Sequence, residues 1–312
     1  PAVYIAFPSG QADHALLRQL HVESIRCDDS QVVTGTSALH LASSLRIPVI
    51  PLLIDGLIPV DDPLGRQLIA LVVDSILPGN GQDEPCGLVS RSAVDLEQKP
   101  DLLLFAQILK LKGYDPFPVS SAAAVAFAEL GSEQFTGLVL DWRAAGASLG
   151  AYRMSDTVAE CHCVNGGLLI DERVARIRNR FNFDREGNRY LDTPTIDAWK
   201  RSSGIRVDRP RTEDEALLAE IYREQLLTIL LRFKSSLQCA SATWLYSKPV
   251  RFVCSGGCTR ISGFAELLLQ LLKSTEFPIE ISEIQVCTAD PYRNARGAMI
   301  LTELDRQPRE VA

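Results

Sequence analysis

The chain has 312 residues, of which 46% are hydrophobic and 23% charged, and its net charge is −7. This length excludes a disulfide-stapled mini-protein and predicts roughly two domains, or one domain made of two lobes. No run of ~18 uncharged apolar residues could span a bilayer, and no long basic run favours nucleic acid or an anionic membrane as the main partner.

The first half of the chain predicts short strands and helices. An apolar strand over residues 2–7 is ended by the turn residues Pro8, Ser9 and Gly10. Apolar spacing predicts helices over residues 66–77, 102–112 and 120–130, the last two closed by Gly113 and Gly131.

The second half changes character at Thr136. Runs at 137–141, 147–154 and 158–164 predict a meander of strands, followed by a helix over 171–181. Residues 182–211 are polar and contain two prolines, so they predict a loop-rich insertion. Thr212 to Glu215 fits a capping box that opens a long helix reaching about residue 237.

The strongest local motif is the run CSGGCTRISGF at residues 254–264, where a strand over 249–254 leads through Gly256-Gly257 into an amphipathic helix. Glycine lacks the Cβ that would keep a base or a phosphate away from the backbone. A tight connection that needs positive φ would have the same pattern. The run resembles the adenosine motif of the actin and heat-shock-chaperone ATPase superfamily.

Four other segments resemble elements of that superfamily in the same order along the chain. They are TGTSA at 34–38 with Pro51 and Asp55-Gly56, SAAA at 121–124, GGLLID at 166–171, and ADP at 289–291 with ARGA at 295–298. The resemblance covers most of the chain outside residues 182–211. It implies an α/β, two-lobed actin-like ATPase fold with duplicated ribonuclease-H-like lobes, in which mixed sheets are flanked by helices. Lobe I would comprise residues 1–136 plus 288–312, and lobe II residues 137–287.

The phosphate motifs depart from the superfamily pattern. The resemblance implies a first hairpin turn with a magnesium-side aspartate and a glycine, but the matching positions hold Ala6 and Pro8, before Ser9. The acid expected to orient the attacking water is replaced by Val119. A metal-directed oxygen, a backbone donor and a base are therefore lost.

The second phosphate loop reads DWRAAGAS at 141–148, where the superfamily has an aspartate followed by three glycines. Asp141 is kept, but Arg143, Ala144 and Ala145 each add a Cβ to the turn. Arg143 has two interpretations: a fixed cation that occupies or binds the phosphate site without magnesium, or a side chain that points into solvent.

The resemblance implies a set of nucleotide-contacting residues without a catalytic or metal-binding residue: Gly256, Gly257, Arg260, Gly166, Gly167, Asp141, Arg143 and Ser9. Binding of ATP or ADP is expected to be weak or absent, and magnesium is doubtful.

Phosphoryl transfer depends on positioning and electrostatics that these changes remove. The sequence therefore predicts a pseudo-ATPase scaffold or adaptor that binds a protein partner. The alternatives are a divergent ATPase of the chaperone type and a filament-forming actin that self-associates; sugar-kinase activity is disfavoured because its acceptor-deprotonating aspartate cannot be identified.

Cysteine usage indicates the compartment. Eight scattered cysteines and no recognisable signal peptide favour a reducing cytoplasm. Cys161-His162-Cys163 has the composition of half a zinc site, but strand alternation would send the thiols to one face and His162 to the other. With no second Cys/His pair at ligand spacing, structural zinc is not expected.

Six arginines lie between residues 173 and 189. This local density is an exception to the acidic balance of the chain. The pattern favours a solvated helix face followed by a turn.

Overall fold

The computed structural model describes residues 2–8, 15, 17–45, 47–54, 59, 61–77, 79, 81–90, 100–183, 187–202, 204–240 and 248–306. The chain divides into two compact units, Pro1–Gly79 with Phe181–Leu191, and Asn80–Arg180 with Asp192–Ala312. These ranges differ from the predicted lobes, whose boundaries stay a prediction. Ser9, Asp55 and Gly56 lie outside the described residues.

The first unit contains a four-stranded antiparallel sheet in the order β2-β3-β1-β4. Its strands are β1 (Val3–Pro8), β2 (Ile25–Cys27), β3 (Ser30–Thr34) and β4 (Ile50–Pro51). Helix α1 (Gly35–Leu45) follows β3 directly. Its apolar face packs on β1 and β3 to form a small core: Ile5, Leu17, Val33, Ala38, Leu41 and Ala42.

Helix α2 (Pro63–Ile76) of the first unit begins three residues before its predicted start. The Asp62 carboxylate accepts a hydrogen bond from the Gly65 N–H at 2.8 Å and so caps the helix. Pro63 occupies the first helical position, where its missing N–H costs nothing. The cap therefore determines where this helix starts.

A five-stranded mixed sheet forms the centre of the second unit, in the order β13-β12-β7-β8-β9. Its strands are β7 (Gly137–Trp142), β8 (Ala147–Arg153), β9 (Asp156–Cys163), β12 (Val250–Ser255) and β13 (Ile281–Val286). Strands β7 to β9 are antiparallel, so the predicted meander is confirmed. Strand β12 runs parallel to both β7 and β13.

One face of this sheet is covered by helix α4 (Ser121–Glu129), which packs against helix α9 (Arg293–Arg306). The two helices approach closely because Gly297 has no side chain: a Cβ there would overlap the carbonyl oxygen of Ala124. The SAAA and ARGA motifs therefore meet at this crossing. Small and aliphatic residues fill the core beneath it, among them Ala122, Ala126, Val139 and Val253.

A parallel pair of strands precedes α4, β5 (Glu84–Ser90) and β6 (Tyr114–Ser120). Helix α3 (Pro100–Leu111) connects them and packs on both. Gly113 ends this helix with φ of +82°, a conformation that favours glycine. The predicted closure at Gly113 is confirmed.

The opposite face of the sheet is covered by helix α7 (Glu213–Cys239) and helix α8 (Phe264–Ser274). Thr212 caps α7 by accepting a hydrogen bond from the Glu215 N–H at 3.2 Å. The Glu215 carboxylate accepts a hydrogen bond from the Arg211 N–H at 2.9 Å. The return bond of the predicted capping box thus reaches one residue before the cap.

The prediction of loop over residues 182–211 is wrong in part. Helix α5 (Gly167–Ile177) starts and ends four residues earlier than predicted, and a hairpin of β10 (Phe181–Phe183) and β11 (Arg189–Leu191) follows. Helix α6 (Thr193–Lys200) comes next, capped by Asp192. Pro194, which suggested a loop, lies in the first turn of α6, where proline is tolerated.

Candidate functional site

The hairpin between β7 and β8 carries the predicted second phosphate loop. Asp141, at the end of β7, is buried with 1% of its surface exposed. Arg143 approaches it with Nε 2.7 Å from Oδ2, while about half of the Arg143 side chain remains in solvent. The arginine therefore supplies a cation directly to the carboxylate.

The electrostatic state of Asp141 follows from this burial. Desolvation raises the pKa of Asp141 above its usual value, against the opposing charge of Arg143 and nearby polar groups of Ser121 and Asn294. Neither carboxylate oxygen receives a well-aligned hydrogen bond from the described part of the chain. A buried carboxylate in this state is costly unless a cation is close.

The turn of the hairpin is held against the start of α5. The Gly167 N–H donates to the Arg143 carbonyl at 2.9 Å, and the Leu168 N–H donates to the Ala144 carbonyl at 3.0 Å. These N–H groups belong to the first turn of a helix, which has no partner for them within the helix. The hairpin thus takes donors that an anion would otherwise find at a helix N-terminus.

Gly166 and Gly167 are required by this packing. A Cβ on Gly166 would overlap the carbonyl oxygen of Ala144, and one on Gly167 would lie 2.8 Å from the Cys258 Sγ. The structure therefore brings the predicted residues Gly166 and Gly167 together with Arg143. What they contact is protein backbone and side chain.

The two glycines after β12 differ from each other. Gly256 has φ of +95°, and a Cβ there would overlap the carbonyl of Trp142. Gly257 is exposed, and the nearest atom to its Cβ position is Nη2 of Arg260 at 3.8 Å. Gly256 is thus a packing glycine, whereas Gly257 and the exposed Arg260 face open space on the 3-10 turn Gly257–Arg260.

Trp142 organises this region, although the motif comparison gave it no role. Its indole N–H donates to the Asn165 carbonyl at 2.7 Å, and its ring meets Tyr222 edge-on at 5.3 Å. It also lies 6.0 Å from the ring of Phe264. Its position directly after Asp141 could have indicated a packing role, because a buried indole needs both apolar surface and a hydrogen-bond acceptor.

A second buried group lies beside Gly167. Lys200 at the end of α6 donates to Asp171 of α5 at 2.6 Å, and both residues are buried. Burial raises the pKa of Asp171 to about 6, although the Lys200 charge and hydrogen bond lower it. Lys200 had no sequence signal, because its helix was predicted as loop.

A polar network lies where α4 begins. Ser120 caps the helix by accepting from the Ala123 N–H at 3.0 Å, and Ser121 Oγ donates to Ser148 Oγ at 3.1 Å. His162 Nδ1 is 3.3 Å from the same Ser148 hydroxyl. Glu160, on the same strand β9 as His162, contributes an acid to this network.

Glu160 is an acid in this polar network that is not among the predicted site residues. Burial raises its pKa to about 7, while hydrogen bonding to Ser120 and Tyr152 lowers it. Its Oε2 lies 3.9 Å from Nε2 of His162. Val119, the predicted replacement for the water-orienting acid, is buried and apolar.

The first predicted phosphate segment lies in the other unit. Ala6 and Pro8 are inside strand β1, paired with Val32 and Ser30 of β3. The strand predicted over residues 2–7 is confirmed, but the prediction of Pro8 as a turn residue is wrong, because the ladder to β3 extends through Pro8. Ser9 lies outside the described residues.

Residues 1–302 match the family described as Volactin. The chain belongs to the Volactin family.

Solved structures support an actin-like fold for this Volactin-family chain. The MamK double helical filament is similar with a TM-score of 0.66 at 16% identity, over 97% of this chain and 91% of that one. MreB5 of Spiroplasma citri bound to ADP has a TM-score of 0.63 at 12% identity, over 99% and 91%. Ethanolamine utilization protein EutJ from Carboxydothermus hydrogenoformans has a TM-score of 0.50 at 15% identity, over 81% and 79%.

At these identities the likeness shows the fold alone, and the predicted actin-like ATPase fold is confirmed. Curated proteins gave no significant match. The helices of the described residues are all too short or too polar to cross a membrane.

The fold family implies a nucleotide with magnesium, and the residues of this Volactin-family chain fit them unequally. On the phosphate side, Arg143 already neutralises Asp141, and the first N–H groups of α5 are bonded to the hairpin. Among the described residues, no three His, Cys, Asp or Glu side chains are grouped to hold a metal ion. Within the described part of the second unit, the phosphate side already holds a protein cation and its helix donors are taken, whereas Gly257 and Arg260 are exposed.

The CHC run of the Volactin-family chain follows strand alternation as predicted. Cys161 Sγ lies 3.9 Å from the Ile229 carbonyl and Cys163 Sγ 3.8 Å from Arg232, both on α7. His162 lies on the other face with Ser148. The Cys161 thiol and the Arg232 guanidinium lower the pKa of Cys163.

Three of the arginines between 173 and 189 make contacts that the structure describes. Arg173 pairs with Glu224 at 2.7 Å and Arg178 with Asp214 at 2.5 Å, both acids on α7. The Arg189 guanidinium stacks over the Phe181 ring at 3.4 Å from its centre. Arg173 and Arg178 thus pair with α7 instead of lying only in solvent, and Arg189 belongs to the β10–β11 hairpin.

Proposed function

We propose that this Volactin-family chain is a non-catalytic actin-like scaffold, a pseudo-ATPase that acts by binding other protein surfaces. The observation that carries the proposal is the ion pair between Arg143 and Asp141, with 2.7 Å between Nε and Oδ2. The carboxylate that would face a hydrated metal ion has an internal counter-charge instead.

The chemistry of phosphoryl transfer explains why this contact matters. Transfer requires a cradle for the phosphates, a metal that neutralises charge and an oriented nucleophile. Here the helix N–H groups of Gly167 and Leu168 already bond to the hairpin, and position 119 is a buried valine. Each requirement is weakened by a different residue, so one compensating change would not restore the site.

Adenosine recognition is the part of nucleotide binding that this proposal retains. Gly257 is exposed and Arg260 lies beside it on the 3-10 turn. A flat base can lie against bare backbone where no Cβ intervenes. We expect any binding to depend on the adenosine moiety more than on the phosphates.

Ligand-dependent melting tests the proposal. Purified protein is melted alone and with ATP, ADP or adenosine, each with and without magnesium, because binding to the native state raises Tm by mass action. We expect similar small shifts for the three ligands and no effect of magnesium. A large shift that needs both ATP and magnesium, together with phosphate release above the blank, would show that the chain is an ATPase.

The Arg143→Ala variant tests whether Arg143 is the reason that magnesium does not change Tm. If Arg143 replaces the metal, its removal makes magnesium stabilise the protein. Arg153→Ala is the matched control, since Arg153 is an exposed arginine at the end of β8. If magnesium raises the Tm of both variants equally, the proposed local role of Arg143 is contradicted.

Filament formation by a divergent nucleotide-binding actin is the second candidate. It is favoured by the extent of the likeness to the MamK double helical filament, which covers 97% of this chain. MreB5 structures carry ADP or AMPPNP, so nucleotide could regulate such assembly. Light scattering against protein concentration, with and without ATP, separates the candidates: a critical concentration that ATP changes favours the filament.

We also propose that the protein works in the cytoplasm. All eight cysteines are free thiols, which suits a reducing compartment.

The protein partner is to be identified by affinity capture from the native host, with Arg143→Ala bait as comparison. The lobe boundary near residue 136 belongs to the same proposal and is testable by limited proteolysis.

A further inference from the structure

A pocket of about 280 Å³ lies on the first unit, beside strands β2 and β3. One wall is apolar, and the rest carries polar or cationic groups. Its lining residues are Leu17, Arg18, Val22, Ser24, Arg26 and Gln31. Every one of them belongs to a unit that does not contain the β7–β8 hairpin.

The pocket has a rigid floor. Gln31 of β3 is 2% exposed, and its Oε1 accepts a hydrogen bond from Ser24 Oγ at 2.9 Å. Leu17, also 2% exposed, belongs to the small core of this unit, and Val22 packs against that core. The base of the pocket is therefore fixed by the sheet and its core.

The rim of the pocket is cationic. Arg18 and Arg26 both line it and are both exposed. Neither forms an ion pair or side-chain hydrogen bond with another described residue. Two guanidinium groups thus line one small pocket and can donate hydrogen bonds to an anion there, although the acids Glu23, Asp28 and Asp29 lie on the same stretch of chain.

We propose that this pocket binds a small phosphate monoester. The phosphate would lie between Arg18 and Arg26, and the organic part against Leu17 and Val22. The proposal is independent of the pseudo-ATPase function, because none of these residues is part of the β7–β8 hairpin or the 3-10 turn.

Charge and size favour this ligand class. A phosphate monoester carries about −1.5 to −2 charges at pH 7, which two guanidinium groups balance, whereas a monocarboxylate leaves one unpaired. Arginine also binds phosphate oxygens through paired N–H donors. A volume of about 280 Å³ is at the small end for ligand pockets, so it suits a compact molecule.

Calorimetric titration of the full chain with phenyl phosphate tests the proposal. We expect saturable binding with one site, tighter than that of inorganic phosphate because the ring contacts the apolar wall. Phenol should not bind measurably. Arg18→Gln and Arg26→Gln should each weaken phenyl phosphate binding by roughly 10-fold or more, since each removes a charge-assisted hydrogen bond.

Arg153→Gln is the control, because it removes an exposed arginine from the other unit without touching the pocket. It should leave the affinity unchanged. Methyl signals of Leu17 and Val22 should shift with the same affinity in the parent protein, which locates the site. The proposal is overturned if phenyl phosphate binding does not saturate, if neither pocket variant weakens it, or if Arg153→Gln weakens it as much.

Discussion

The glycines beside the β7–β8 hairpin and those of the 3-10 turn after β12 belong to the same unit, but they serve different purposes. At the hairpin, the space beside Gly166 is filled by the Ala144 carbonyl. At the turn, Gly257 faces open space. A glycine in such a motif can therefore serve close protein packing or leave backbone accessible to a ligand, and only the second use indicates binding.

The largest expected effect separates these two reasons within one glycine pair. Gly256→Ala should lower the free energy of unfolding by about 2–4 kcal/mol, because it needs positive φ and overlaps the Trp142 carbonyl. Gly257→Ala should change it by less than about 0.5 kcal/mol. Urea denaturation measures both, and equal losses would remove the distinction between a packing glycine and an exposed one.

The next largest effect on stability is expected at Glu160, a largely buried acid on strand β9. The folded-state pKa of Glu160 is about 7, above its ordinary value of 4.5. The unfavourable contribution of its charge is therefore absent below pH 4.5, grows between 4.5 and 7, and is complete above 7. Glu160→Gln should stabilise the protein by about 1–3 kcal/mol at pH 8 and have little effect at pH 4.5.

The control for Glu160 is Asp156→Asn, which changes an exposed acid on the same strand. It should show no such pH dependence. Denaturation curves at several pH values give the comparison. A constant effect of Glu160→Gln across this range would mean that the carboxylate is already charged in the folded protein at pH 4.5.

Removing the internal cation is expected to have a smaller effect. Arg143→Ala should destabilise the protein by about 1–2 kcal/mol, discounted because half of the arginine side chain is in solvent. The direction follows because the buried Asp141 carboxylate loses its nearest opposite charge. Thermal melting with and without magnesium is the measurement, and an unchanged Tm would support the alternative in which Arg143 merely points into solvent.

The smallest expected effect on stability is at the exposed turn. Arg260→Gln should leave the free energy of unfolding within about 0.5 kcal/mol of the parent. If adenosine binds there, its affinity should fall, as measured by titration. A stability loss like that of Gly256→Ala would show that the turn, too, is part of the packed structure.

Much of the fold could be predicted from local sequence. The meander over β7 to β9 was visible because turn residues separate its apolar runs, and α4 because small apolar residues end at Gly131. Helix α6 was missed because its polar residues and Pro194 favour a loop when read alone. Its N-terminal cap and its buried Lys200 pair with Asp171 stabilise it as a helix.

The candidate site was predicted less completely. The sequence identified Asp141, Arg143, both glycine pairs and Arg260, and the structure brings the hairpin, Gly166-Gly167 and Gly256 together. It did not identify Lys200 or Glu160, because each depends on a neighbour distant along the chain, and it gave Trp142 no role although this residue follows Asp141 directly. Strand pairing was equally hidden, so Pro8 was assigned to a turn although it pairs with Ser30 of β3.

The sequence by itself determined the order of the five motif-like segments, the non-glycine residues at 143–145 and the aspartate at 141. The tertiary structure decided what these residues contact: Arg143 pairs with Asp141, and the hairpin carbonyls take the first N–H groups of α5. The physical reason is that a motif specifies which groups are available, whereas their partners depend on distances between segments far apart in the chain. A buried carboxylate or an unpaired helix N–H is stabilised by whichever opposite charge or acceptor the fold brings closest.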